Sequence, residues 1–212
     1  MPTKHHPALL YIDASPRGER SKSRQVGQRF LAAWKSAHPQ ASVTTRDVGR
    51  EPPPFVSEAW VEGSFASPDA QSPAARAAIA VSDRYVDELL AADELVIATP
   101  IYNLSVPAAL KAWIDQIVRA GRTFSYNKGS YEGLAKNKRA IVIVSSGGDF
   151  RPGTPAGGFN FIEPYLRGIF GFIGITRVEF VYAHSSSAEA PVAAAALAAA
   201  ESAVAELASA TA

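Results

Sequence analysis

The sequence predicts a doubly wound α/β fold, in which five parallel strands are buried between helices on both faces. Short apolar or β-branched runs alternate with amphipathic helical stretches along the chain, the pattern of repeated βαβ units. Leu95-Val96-Ile97-Ala98 and Ala140-Ile141-Val142-Ile143-Val144 are uninterrupted apolar runs, as strands covered on both faces require. Polar loops rich in Ser, Gly, Asn and Pro follow the first, third and fourth runs, at the strand ends where such sheets bind ligands.

The first run, Leu9-Leu10-Tyr11-Ile12, ends at Asp13-Ala14-Ser15-Pro16. A helix is predicted from Ser23 to Ala37, with Val26, Phe30, Leu31 and Trp34 on one face. Ser42-Val43-Thr44-Thr45 is β-branched and reads as the second strand. Residues 49–73 form a long excursion rich in Pro, Ser and Glu, with Phe55 and Trp60 as its expected anchors. A helix from Pro73 to Ala91 leads to the third strand. Pro107 to Gly121 is the next helix, with Leu110, Trp113, Ile114 and Ile117 as its buried stripe. Lys111, Asp115 and Arg119 are spaced as an exposed i,i+4 ladder. After the fourth strand come a helix from Phe161 to Gly171 and a fifth strand, Val178 to Tyr182. The Ala-rich tail, interrupted by Glu189, Glu201, Ser202 and Glu206, reads as a surface helix. Gly168 to Gly174 reads as helix end and turn, and Lys136 to Arg139 as a solvated loop.

Composition narrows the function classes. The 212 residues suit one α/β unit, and 21 Lys+Arg against 20 Asp+Glu leave no electrostatic footprint for nucleic acid or an anionic membrane. The absence of cysteine removes disulfides, thiolate catalysis and Cys-ligated metal centres. His5, His6, His38 and His184 lack the spacing of a metal site. The polar start of the chain and the absence of an uninterrupted run of ~18 apolar residues predict neither a signal peptide nor a span, and the absence of cysteine fits a cytoplasmic protein.

The first loop, Ser15 to Ser23, sets several hydroxyls before a helix N-terminus, with Arg17, Arg20 and Lys22 nearby. Free amides, the helix dipole and hydroxyl donors make a phosphate cradle. It also admits a plainer reading, in which one serine merely caps the helix. The loop fits neither the G-x-G-x-x-G nor the P-loop pattern. The second loop places Tyr102 and Asn103 where they can wall and hydrogen-bond a flat heterocycle. In the third, Ser145-Ser146-Gly147-Gly148-Asp149, two glycines admit close backbone approach. Alternatively, Tyr102 packs internally and the glycines form a turn. The convergence of all three loops favours a ligand.

The segment Pro100-Ile101-Tyr102-Asn103, Pro107, Leu110-Lys111, Trp113, Asp115, Arg119-Ala120-Gly121, Thr123-Phe124 and Tyr126 resembles the FMN-dependent NADH-azoreductases. These belong to the flavodoxin-like NAD(P)H:quinone oxidoreductases. The likeness continues through Glu132-Gly133-Leu134, Gly147-Gly148, Pro164-Tyr165-Leu166 and Phe170 to Ile175. It implies a flavodoxin-like strand order 2-1-3-4-5 and bound FMN. Ser15, Ser21 and Ser23 would hold the phosphate, aided by the charge of Lys22. Pro100, Ile101, Tyr102, Asn103 and Leu104 would lie along the isoalloxazine, and Ser145, Ser146, Gly147 and Gly148 at its pyrimidine side. Leu104 stands where many members carry Phe, and Ser146 where some carry Arg.

The resemblance further implies a homodimer with each flavin near the interface. It implies a ping-pong cycle: NADH or NADPH gives a hydride to FMN N5, and a quinone or azo compound then takes it. No side chain is required as an acid or base. Phe124 and Phe161 are candidates for stacking over substrate, or for core packing. The rival from another class is an FMN electron carrier or flavin-binding regulatory module without NAD(P)H turnover; such carriers are typically acidic, unlike this neutral chain. A serine hydrolase is disfavoured because no G-x-S-x-G follows a strand.

Overall fold

The computed structural model describes residues 6–210, so His5 and the last two residues of the predicted final helix lie outside the described residues. Strands β1 (Ala8–Asp13), β2 (Ser42–Asp47), β3 (Glu94–Pro100), β6 (Arg139–Ser145) and β7 (Arg177–Ala183) form one sheet in the order β2-β1-β3-β6-β7. Every pairing in it is parallel. Counted among themselves, the five parallel strands stand in the order 2-1-3-4-5. The additions are β4 (Phe124–Asn127) and β5 (Ser130–Gly133), a separate antiparallel hairpin that the sequence reading lacked. Lys128 (φ 48°) and Gly129 (φ 87°) both take left-handed backbone at its tip, as a two-residue hairpin turn demands.

Two apolar layers cover the sheet. On one face α1 (Lys22–Ala37) and α6 (Ala190–Ser209) bury Val26, Phe30, Trp34, Ala200 and Val204 against Leu9, Tyr11, Val96 and Ile141. On the other, α3 (Pro73–Ala91), α4 (Ala108–Ile117) and α5 (Ile162–Ile173) pack Leu89, Trp113, Leu166 and Phe170 over Leu10, Ile97 and Val142. Both β3 and β6 are buried at every position, as their apolar runs require. By length and composition α6 could cross a membrane; here its Ala196, Ala200, Val204 and Ala208 are buried.

Several local expectations are corrected. The excursion is ordered in part as α2 (Glu58–Phe65), with Ser57 capping it. Trp60 does anchor it, donating to Gln116 Oε1 at 2.8 Å, whereas Phe55 is 72% exposed. Helix α4 stops at Ile117, so Lys111 pairs with Asp115 but Arg119 leaves the ladder. Arg119 is buried, donates to Ser82 Oγ at 2.7 Å and lies over the Trp60 ring. Helix α5 runs through Gly168 and Gly171 and ends at Gly174, whose φ of 102° needs glycine. The Lys136 to Arg139 run is not simply solvated. Lys138 caps the end of α3 through the Leu90 and Ala92 carbonyls, and Arg139 is 2% exposed.

Candidate functional site

The loops after β1, β3 and β6 meet in one pocket, and the loop after β7 joins them. Ser15, Arg17, Ser21 and Lys22 line one end; Pro100, Ile101, Tyr102, Ser145, Ser146, Gly147 and Ser186 line the rest. The predicted residues Ser15, Ser21, Lys22, Pro100, Ile101, Tyr102, Ser145, Ser146 and Gly147 are therefore brought together.

The other predicted residues stand just outside this lining. Ser23 is fully buried, and its Oγ lies 3.1 Å from Ser21 Oγ, so it orients the serine that faces the pocket. Asn103 and Leu104 form the tip of a tight turn closed by paired bonds between Tyr102 and Ser105, each 3.1 Å. Their φ values of 48° and 70° are left-handed, which costs a leucine on the order of 1 kcal/mol. Asn103 opens instead onto a neighbouring groove with Tyr102, Lys111 and Tyr165. The Gly148 carbonyl accepts from Ser146 Oγ at 2.7 Å and from Ser185 N–H.

Of the two aromatic candidates, Phe161 lies beside the Tyr102–Ser105 turn but outside the pocket lining: its N–H donates to the Leu104 carbonyl at 3.2 Å, and the residue is half exposed. Phe124 packs 4.7 Å from the Phe172 ring and 6.2 Å from Tyr131, in a second groove with Trp60, Phe65 and Tyr126. Ser186 lies outside the predicted set, which comes from the loops after the first, third and fourth strands. The available signal was the Ser185-Ser186-Ser187 run after the fifth parallel strand. β7 flanks β6, so this loop bonds to its neighbour: Ser186 N–H to Ser146 O and Ser187 N–H to Gly147 O, at 3.0 and 3.1 Å.

The positively charged, hydroxyl-lined end of the pocket follows from local sequence. Ser21 caps α1 by accepting from Arg24 N–H at 3.3 Å, so the plainer capping reading is also true. The first amides of α1 lack intrahelical acceptors, and Arg17 and Lys22 add positive charge. At the far edge Asp149 pairs with Arg151 through two bonds of 2.8 and 2.7 Å, which hold its carboxyl at about 2. His184, 3.7 Å from Asp149, is pushed down by burial.

Asp13, at the end of β1, has its pKa raised to about 6 by burial and by Asp47; the Ser15 N–H, Arg24 and Arg50 act in the opposite sense. The folded protein therefore holds the Asp13 proton more tightly than the unfolded chain, whose carboxyl titrates near 3.8. Its contribution to stability accordingly grows as pH falls from about 6 and levels off below the unfolded value. The wild type should gain stability relative to Asp13→Asn between pH 7 and pH 4. Urea unfolding across that range checks this; parallel stability profiles would refute it.

A doubly wound parallel sheet whose strand-end loops bring hydroxyls, free helix amides and positive charge into one pocket belongs to the class of α/β proteins that bind ligands at their strand ends. Residues 7–207 match the family described by the flavodoxin-like fold, and the chain belongs to it. An FMN-dependent NADH:quinone oxidoreductase of Trichormus variabilis is 49% identical over 178 residues, which cover 84% of this chain and 86% of that protein. An FMN-dependent NAD(P)H:quinone oxidoreductase of Pseudomonas aeruginosa is also 49% identical, over 82% of this chain and 85% of its own. The crystal structure of an azoreductase from Bacillus anthracis superposes with a TM-score of 0.88 at 30% identity, covering 96% of this chain and 99% of that one.

Proposed function

We propose that this chain is an FMN-dependent oxidoreductase that passes a hydride from NADH or NADPH through bound flavin to quinones or azo compounds. The observation that carries the reading is the single pocket in which the hydroxyl-rich loop before α1 meets the loops after β3 and β6. Its residues suit FMN. Ser15, Ser21, Arg17 and Lys22 offer donors and charge to a phosphate, while Pro100, Ile101 and Tyr102 offer a flat wall. Bound there, FMN would supply the hydride-transfer chemistry between nicotinamide and acceptor. The chain's own work is to place the ring. Ser23 orients Ser21, the Tyr102–Ser105 turn holds the wall, and Gly147 in the lining packs against Ser187, whose Oγ would stand 2.8 Å from an added Cβ. Phe161 stands beside that turn, where it can stack on an acceptor.

The whole chain acts as one FMN-binding unit, located in the cytoplasm, in keeping with the absence of cysteine. It works as a homodimer, a reading supported by Tyr126 and Tyr131, each over 60% exposed on the hairpin beside Phe172. Sedimentation at micromolar concentration tests it, and a monomer would overturn it.

The decisive experiment is direct. The purified protein should display the double absorbance band of a flavin and oxidise NADH when menadione is supplied. A bound flavin without NADH oxidation would make it a carrier. The Ser21→Ala, Ser23→Ala double variant should bind FMN about 10- to 100-fold more weakly, the value of lost hydrogen bonds to a charged group. Unchanged flavin content would remove the serines from the phosphate site.

A further inference from the structure

Behind the hydroxyl cradle lies a buried charge cluster outside the pocket lining. Arg24, in the first turn of α1, is 9% exposed. Its Nη2 donates to the Ser15 carbonyl at 3.2 Å and to Asp47 Oδ2 at 2.8 Å. Its Nε faces Asp13 Oδ2 at 3.0 Å. Asp13 Oδ1 in turn accepts from the Ser15 N–H at 3.0 Å. Both backbone polar groups of Ser15 are thus tied to one ion cluster, and Ser15 is the residue through which that cluster meets the pocket.

The charges sharpen the point. Asp13 and Asp47 place two carboxylates behind a site meant for an anion. Arg50 approaches Asp47 at 3.7 Å but has a 57% exposed side chain, so water screens it. Arg24 is the buried counter-charge. Only a guanidinium, with several donors in one plane, reaches a carbonyl and two carboxylates at once; a lysine ammonium acts as a point charge.

We propose that Arg24 is a positioning residue for the flavin phosphate: by fixing Ser15 and neutralising Asp13 and Asp47, it lets the protein distinguish FMN from unphosphorylated flavin. The proposal rests on the FMN reading above. The effect passes through Ser15 and through the field at the cradle. It falls on the phosphate and leaves the binding of the ring largely unchanged.

The test measures dissociation constants of the flavin-free, full-length protein for FMN and for riboflavin. The readout is their ratio, which a merely structural role for Arg24 would leave unmoved. The wild type should prefer FMN strongly; a ratio near one would sink the phosphate reading itself. Two variants address Arg24. Arg24→Lys keeps the charge but loses the shared bonds, and Arg24→Gln with Asp13→Asn removes one charge of each sign, so the net charge of the cluster is unchanged. Circular dichroism confirms their folding. Both should lose about tenfold or more of the FMN preference while riboflavin affinity stays within about twofold. If the wild type prefers FMN and both variants keep that preference, the proposal is wrong. If the lysine variant alone keeps it, a positive charge at position 24 suffices and the positioning role is overturned.

Discussion

Arg139→Ala should lower the free energy of unfolding by about 3–5 kcal/mol, a large share of the roughly 5–15 kcal/mol that holds such a fold together. Arg139 opens β6 and is 2% exposed. Its register partner on β3 is Glu94, 3% exposed, with the charged groups 3.6 Å apart. On the other side it pairs with Glu179 of β7 at 2.8 Å, and it donates to the Leu207 carbonyl of α6 at 3.0 Å. Glu94 also accepts from Trp34 Nε1 at 3.0 Å, so the cluster joins α1, three neighbouring strands and α6. Removing the arginine leaves a carboxylate buried with one neutral donor, and the cost lies in that unpaired charge. Urea unfolding measures it, and a loss under about 1 kcal/mol would refute the argument. Arg139→Met combined with Glu94→Gln should recover much of the loss, because neither residue then carries a charge.

That cluster also shows where sequence reading reaches its limit. The strands were legible because burial on both faces imprints continuous apolar runs such as Leu95 to Ala98. The pocket was legible because a doubly wound topology dictates which loops converge. Arg139 was not. In sequence it belongs to a charged run, and only the pairing of β6 with β3 and β7 reveals that its charge is answered inside the protein. Arg119 misled for the same reason: its i,i+4 spacing is meaningful only while the helix continues, and α4 ends at Ile117. The β4–β5 hairpin was missed because its strands are four residues each and mostly exposed, which gives them little apolar signal. At the site, Ser15 and Ser21 could be read from their loop. Arg24 could not, since a charged residue in a helix reads as solvated until Asp13 and Asp47 are seen around it.

Gly49→Ala should weaken FMN binding by displacing the loop after β1, although residue 49 does not line the pocket. Gly49 follows β2, and its N–H donates to the Asp13 carbonyl at 3.1 Å. A Cβ there would stand 2.5 Å from both the carbonyl carbon and oxygen of Ser15, and 2.9 Å from its nitrogen. These are backbone atoms, so no side chain can swing aside to make room. Ser15 itself is held by Asp13 and Arg24. The strain must move either Ser15 or the turn after β2, at about 1–3 kcal/mol for forced overpacking. If Ser15 yields, its hydroxyl leaves the cradle and FMN affinity falls about tenfold or more. Equilibrium titration with FMN, alongside thermal unfolding, separates the outcomes: lost stability with unchanged FMN affinity would mean that the turn gives way instead. The control is the same substitution at Gly168 in α5, where an added Cβ meets nothing within 4 Å. There alanine should stabilise the protein by about 0.5–1 kcal/mol through helix propensity and leave the flavin untouched. One methyl group thus has opposite effects at two glycines, because one faces open space and the other faces the main chain that shapes the site.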